Sequence, residues 1–468
     1  QERDKATQES ERAETVSNFM LDVFTAADPF QSQDKQITAK ELLDKAANKI
    51  ETNLNDQPEV KARLLEAIGE AYLNQGQSQS AIQYLNQALQ IQHDSSTPDE
   101  RNINLISYMN VLSRAYIDQN DFDNANRILE QARDEFKRTR ETFSPEYMQT
   151  LINSGLLEAK TSHPLIAQKY YEDALESARQ VYGNNHVEIA DILMSLAQTM
   201  IWQSRYAEAE PLVKEAQSIY RLKLPEKHPE RLSADLSLCE ILHHLGHDGD
   251  ALKLANKVLL DQRAVFGENS SQLINTYNIL SQIYLTTSRY RDAEQMAKQG
   301  LDIARHSLGN NNFMTGQMQS SVANVSIRRK EYAAAEHEAS LSFKVLQSTA
   351  SPNHQYIASA EYLLASALAG EYKSKEAEPM IRENMARWSR AEAPAWRSAR
   401  SESLLGVALL QLHKPGEAKQ HLLHADEILS AKDSGAIPDD IAIAHKRVEE
   451  FKRCEEKHQL SNCVLSIS

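Results

Sequence analysis

What this sequence has little of narrows it first. With 14 glycines and 13 prolines in 468 residues, it holds few of the residues that break helices and shape tight turns. Ala, Leu, Gln, Glu and Lys abound instead, a composition that favours helix over sheet or disorder. Three cysteines, Cys239, Cys454 and Cys463, are too few and too scattered for a structural zinc site, and no CxxC occurs. No window of 18 or more residues is apolar throughout, so nothing here spans a bilayer as a helix. No run of five Lys or Arg tracks a phosphate backbone, and the net charge is −15, which excludes nucleic acid and anionic membrane surfaces as natural partners. Without a P-loop or GxSxG, hydrolase chemistry lacks its residues. A chain that begins at Gln1, with neither Met nor a signal-peptide pattern, reads as a processed or excised fragment.

What is there is a repeat. "SRYAEAE" (204–210) and "SRYRDAE" (288–294) end alike, and halving the distance between Ala209 and Ala293 lands on Ala251. Steps of 42 in both directions reach Ala39, Ala81, Ala125, Ala167, Ala335, Ala377 and Ala418, with only the 81–125 and 377–418 steps off, by two and by one. Four and seven residues beyond the marker come pairs such as Leu85 and Ala88, or Leu422 and Ala425, a stripe of helical period. Twelve residues before it stands a small residue: Gly69, Ser113, Gly155, Ala197, Cys239, Ser281, Ala323, Ala365 or Gly406. Each unit is therefore two amphipathic helices, A and B, that approach closely where both are small. Such a pair cannot bury its apolar faces alone, so units must stack. Pro211 and Pro379 follow the marker by two residues, and their tolerance of a first turn predicts that helix B starts only a few residues upstream.

The small and apolar spacing of helix A and the alanine, bulky, alanine spacing of helix B resemble tetratricopeptide repeats. "RYAEAEPLVKEAQSIY" followed by a G-N-N-H loop is similar to the longer variety of kinesin light chains. The resemblance implies an all-α fold, a right-handed α-solenoid of about nine helix–turn–helix repeats with capping helices at both ends. Its parts are a partial repeat over 27–54, a solenoid over 55–428, and a capping helix with tail over 429–468. Two further stretches, from "ERAETVSNFMLDVF" through "AIGEAYLNQG" and "WRSARSESLLGVALLQLHKPGEAKQHLL" (396–423), resemble the entry segment and the final repeat of the extracytoplasmic region of bacterial transmembrane serine/threonine protein kinases. That family implies a kinase domain and one membrane helix ahead of this region, with residues 1–26 as the linker helix leaving the membrane. The parent would use ATP and Mg to phosphorylate Ser and Thr. No Gly-rich loop, HRD or DFG stands in these residues, so the chain itself is expected to be non-catalytic and to hold no cofactor.

In tetratricopeptide proteins the helix A positions not used in packing line the concave side. That register places Asn110, Arg114, Asn153, Gln198, Trp202, Glu240, Asn278, Gln282, Asn324 and Arg328 there. Amides donate to and accept from an extended backbone, and Trp202 supplies an aromatic anchor, so the expected partner is a protein or peptide, with a second copy of the chain as a further candidate. The bland alternative is a solvated polar face.

"HHLGHDGD" (243–250) offers His243, His247, Asp248 and Asp250 as metal ligands, but no Glu follows the first His, and the two glycines place the run at an A-to-B turn. His186, His228 and His354 differ by multiples of 42 and are expected to begin helix A. His421 and His424 share a face with no carboxylate partner in sight. Cys454 and Cys463 admit either a disulfide pinning the tail or two free thiols. Three functions follow: an extracytoplasmic sensor of a kinase, a cytosolic scaffold of kinesin-light-chain style, or a metal-dependent enzyme built on His243 and His247.

Overall fold

The computed structural model describes residues 38–95, 103–139, 143–352, 354–391, 393–432 and 434–468. The linker helix expected over 1–26 lies outside the described residues. Among those residues, regular structure consists of twenty α-helices and two short 3-10 turns, with no strand.

The chain divides into two compact units. The first, up to Leu157 together with Glu176–Val181, contains α1 (Ala39–Asn53), α2 (Pro58–Asn74), α3 (Ser78–Ser95), α4 (Ile103–Asp118), α5 (Phe122–Thr139) and most of α6 (Pro145–Lys160). The second, Glu158–Leu175 with Tyr182–Ser468, contains most of α7 (Pro164–Tyr182), then α8 (Val187–Trp202), α9 (Tyr206–Lys223), α10 (Pro229–His244), α11 (Asp248–Phe266), α12 (Ile274–Thr286) and α13 (Tyr290–Leu308). It continues through α14 (Phe313–Arg328), α15 (Tyr332–Thr349), α16 (Gln355–Gly370), α17 (Ser374–Arg390), α18 (Ala395–Gln411), α19 (Pro415–Ser430) and α20 (Pro438–Glu456). In sequence order α2 to α19 alternate as nine A and nine B helices, and α1 and α20 flank them singly. Within each unit helices pack chiefly on the next helix in the chain, as a stacked array requires.

The marker alanines explain the pairing. From Ala81 to Ala418 all nine are 0 % exposed; Ala39 opens α1, and its side chain lies outside the described residues. The small residue of helix A faces helix B so closely that a Cβ on Gly69 would stand 2.6 Å from Leu85 Cγ. Ser281 Oγ goes further and donates to the carbonyl of marker Ala293 at 3.0 Å.

Helix starts repeat as well. His186, His228 and His354 are N-caps of α8, α10 and α16, each accepting through Nδ1 the backbone N–H two residues on, at 3.3 Å. Ser270 and Asn312 fill the same register with the same bond. The prolines correct an expectation: α9 begins at Tyr206 and α17 at Ser374, so Pro211 and Pro379 lie inside their helices, past the first turn. Neither helix breaks, because only one N–H is lost and the faces on both sides stay buried.

Scarce glycine also has a local explanation. The second residue after each helix A adopts a positive φ, and the series runs Gly76, Asn120, Ser162, Ser204, Gly246, Ser288, Lys330, Tyr372, His413. Seven of these nine carry a Cβ in a conformation that disfavours it. Lys330→Gly, at φ 63° on an exposed turn, is expected to stabilise the α14–α15 pair by about 0.5–1 kcal/mol. Urea denaturation checks it, and a loss of stability would refute it.

At the other end Cys454 and Cys463 form a disulfide, Cα–Cα 5.7 Å, which settles that alternative. The tail then folds back. Arg447, 1 % exposed, donates from Nε to the carbonyl of Ser466 at 2.7 Å and from Nη2 to that of Ile467 at 2.6 Å.

Candidate functional site

The second unit holds a half-open cavity of about 300 Å³. It forms because late elements come back to early ones within this unit. Arg397, near the start of α18, donates from Nη2 to Ser204 Oγ at 3.4 Å across 193 residues of chain. A Cβ on Gly435, in the loop before α20, would lie 3.7 Å from the Ser204 carbonyl.

Helix A of successive pairs supplies the wall, in three registers stepped by 42. Glu240, Gln282 and Asn324 form one, Trp202, His244, Thr286 and Arg328 a second, and Asn278, Ser320 and Tyr362 a third. Six of the residues expected from sequence therefore line this space: Trp202, Glu240, Asn278, Gln282, Asn324 and Arg328. Ser320, Tyr362, His244 and Thr286 were legible by extending the same step. Gln198 shares the Glu240 register on α8 but is not among the lining residues.

The three in the first unit behave differently. Asn110 and Asn153 are 3 % and 1 % exposed, which corrects their placement on an open groove. Asn110 donates to the Glu146 carbonyl at 3.0 Å and accepts from Thr150 Oγ1 at 2.8 Å; Asn153 donates to the Asn110 carbonyl at 2.8 Å. They hold α4 against α6, satisfying each other as buried amides must. Arg114 is exposed and meets Asp118 at 3.3 Å, an i,i+4 surface pair.

Two histidine readings also change. His421 and His424 have a carboxylate partner after all: Glu402 of α18, 8 % exposed, takes Nδ1 of both at 2.8 Å, one per oxygen. His243 Nδ1 lies 2.6 Å from Asp248 Oδ1, a bond that ties the end of α10 to the start of α11 across the turn. Among the described residues no group of three His, Cys, Asp or Glu is placed to hold a metal ion.

Arg397 and Arg400 were not among the expected residues, yet they line the cavity with Arg328, Asp439 and Asp440. Arg328 pairs with Asp439 at 2.7 Å and Arg400 with Asp440 at 3.6 Å. Arg400 also lies over the Tyr362 ring at 4.2 Å. Arg397 is held by indoles, its Cζ 4.7 Å from the Trp396 centroid and 5.1 Å from that of Trp388. Burial pushes the Glu240 carboxyl up to about 7, with Arg397 opposing. It pushes the His244 imidazole down to about 3, helped by the charges of His243 and Arg397. His244 stacks on Tyr206, centroids 4.2 Å apart. Ile467 and Ser468 of the folded-back tail complete the lining.

Residues 61–138, 146–221 and 230–306 match the tetratricopeptide repeat family. The chain carries tetratricopeptide repeats. Repeats of this kind stack into extended scaffolds with a concave face, and here helices from α8 to α20 line the half-open cavity. No curated protein sequence matches the chain. Among solved structures, NprR in complex with its cognate peptide NprX is similar, at 14 % identity over 81 % of this chain and 98 % of that one, TM-score 0.53. A Rap protein complexed with competence and sporulation factor is similar at 14 % identity over 79 % and 100 %, TM-score 0.52. Repeats of a putative kinesin light chain of Podospora anserina match 44 % of this chain and 97 % of that one at 17 % identity, TM-score 0.35. At these identities the likeness is one of fold. No described helix of the array is long and apolar enough to cross a membrane.

Proposed function

We propose that the chain is a protein-interaction module that holds a peptide, or an extended segment of a protein, in the cavity of the second unit. The observation that carries this is the wall itself. Amides and hydroxyls recur at one register after another and face a half-open cavity of about 300 Å³, where each can donate to or accept from a bound backbone. The NprX and competence-factor complexes are compatible with it, since both are held by proteins of this fold. Replacing Asn278 and Asn324 together by alanine is expected to weaken capture of a bound peptide by about tenfold or more. Unchanged capture by a folded double variant would move the binding surface elsewhere.

The setting proposed for the module is the extracytoplasmic side of a membrane, tethered through a preceding segment to a serine/threonine kinase that uses ATP and Mg. Occupancy would then bias the kinase through pairing of two copies. The likeness of the opening and final repeats to that kinase family supports this, and so does the Cys454–Cys463 disulfide, which fits an oxidising compartment better than the cytosol of a kinesin-light-chain-like scaffold. Reading the gene upstream of Gln1 tests it: a kinase domain followed by one apolar helix is expected, and a start codon beside Gln1 would sink it.

A further inference from the structure

The cavity has a side chamber. A smaller pocket of about 50 Å³ opens beside it, walled by Pro164, Trp202, Trp388, Ala391 and Pro394. Trp202 and Arg397 belong to both spaces. The main cavity presents mostly amides and hydroxyls, the side pocket mostly indoles, proline rings and alanines, and the Arg397 guanidinium stands at the join.

Arg397 differs from the other two cavity arginines. Arg328 and Arg400 each have an aspartate within reach, at 2.7 and 3.6 Å. No carboxylate of the described residues comes within 4.0 Å of Arg397. Its Nε is buried with no acceptor, as is that of Arg400. The cation is nonetheless held in place, between Trp388 and Trp396 and on Ser204 Oγ. A guanidinium largely withdrawn from water with no carboxylate in contact is costly, and burial accordingly pushes its pKa down, with Asp440 opposing only from a distance. The fold orients this charge at the boundary of a polar and an apolar chamber and leaves the anion to be supplied.

We propose, resting on the peptide-binding reading above, that the occupant sets a carboxylate on Arg397 and the neighbouring large apolar side chain in the Trp202–Trp388 pocket. A planar guanidinium accepts a carboxylate through two parallel N–H donors, and lysine would not reproduce that geometry. The indoles, proline rings and alanines beside it favour a Leu, Met, Phe or Trp adjacent to the acid over a charged side chain, with Ser162, Gln203, His354 and Gln355 completing the lining. The carboxylate comes from a free peptide C terminus or from an Asp or Glu side chain, and the two sources are separable.

The test uses a random hexapeptide library synthesised twice, once with free C-terminal carboxylates and once as C-terminal amides, each captured by the full chain. Peptides retained by the wild type are expected to be enriched about tenfold in a carboxylate next to a bulky apolar residue. Loss of all binders from the amide library except those with Asp or Glu identifies the C terminus as one source; equal yields of acidic binders from both identify the side chain. Arg397→Gln is expected to weaken retained peptides by tenfold or more. Because Arg397 is packed between indoles, Ala391→Leu serves beside it: it narrows the side pocket without touching the guanidinium and should shift selection to smaller apolar residues. Neutral peptides retained as well as acidic ones, or a folded Arg397→Gln protein that binds them undiminished, would overturn this inference and leave peptide binding standing. Retention of no peptide from either library would overturn the peptide reading and this inference with it.

Discussion

Gly406→Val is expected to destabilise the α18–α19 pair by about 3 kcal/mol, read as faster hydrogen exchange and an earlier urea transition in residues 395–430. A Cβ at this position would lie 2.5 Å from Leu422 Cγ, 2.7 Å from Leu422 Cδ2 and 3.3 Å from the Ala418 carbonyl. Leu422 is 1 % exposed and Ala418, the marker alanine, 0 %, so neither side chain nor backbone has free space to move into. The two helices must separate, and the contact that defines the repeat opens. Valine adds two γ-carbons and the restricted rotamers of a β-branched residue to that clash. A control sits on the surface: a Cβ on Gly249 would meet nothing within 4 Å, and Gly249→Val should be neutral or slightly stabilising, because valine is the better helix former of the two. The pairwise origin is checked by Gly406→Ala with Leu422→Ala, which should cost less together than the sum of the two alone. Additive losses would show that the two residues do not share the strain.

The same contact explains why so much of the fold is legible in the sequence. Close approach of two helices admits only small side chains, so alanine and glycine recur wherever the geometry recurs, and a step of 42 finds them. The helix caps His186, His228 and His354 were visible for the same reason. The prolines misled because their missing N–H was assigned to a first turn, whereas α9 and α17 carry Pro211 and Pro379 further in. Asn110 and Asn153 misled because an amide looks alike in sequence whether it waits for a ligand or holds α4 to α6. Glu402 escaped as the partner of His421 and His424 because it stands on the other helix of the pair, 19 and 22 residues away, at no helical spacing. Arg397 and Arg400 carried no periodic signal at all. They matter only because α18 returns to the turn after Trp202, a closure that depends on the summed twist of many pairs and not on any local pattern.

Between pH 4.5 and 6.5 the cavity wall is expected to hide two opposite stability slopes, which single variants separate. Glu240 and His244 sit one turn apart on α10. The Glu240 carboxyl titrates about 7 in the folded chain, against an ordinary 4.5. Below 4.5 both folded and unfolded forms keep the proton; as pH rises toward 7 the unfolded chain releases it first, so stability falls over that window and is constant above it. His244 titrates about 3, against an ordinary 6.5. Above 6.5 it is neutral in both states; as pH falls toward 3 the unfolded chain takes a proton that the folded chain refuses, so stability falls in that direction. In the overlap the two contributions cancel in sign. Glu240→Gln removes the first and leaves stability that rises with pH from 3 to 6.5; His244→Phe, which keeps the stack on Tyr206, removes the second and leaves stability that falls from 4.5 to 7. Each slope should amount to about 1–2 kcal/mol across the overlap, discounted because both side chains retain some access to water in the cavity. Urea titrations of the two variants at pH 5, 6 and 7 decide the matter: curves that diverge in opposite directions from the wild type are expected, and parallel curves would mean that water reaches these groups as freely in the folded chain as in the unfolded one.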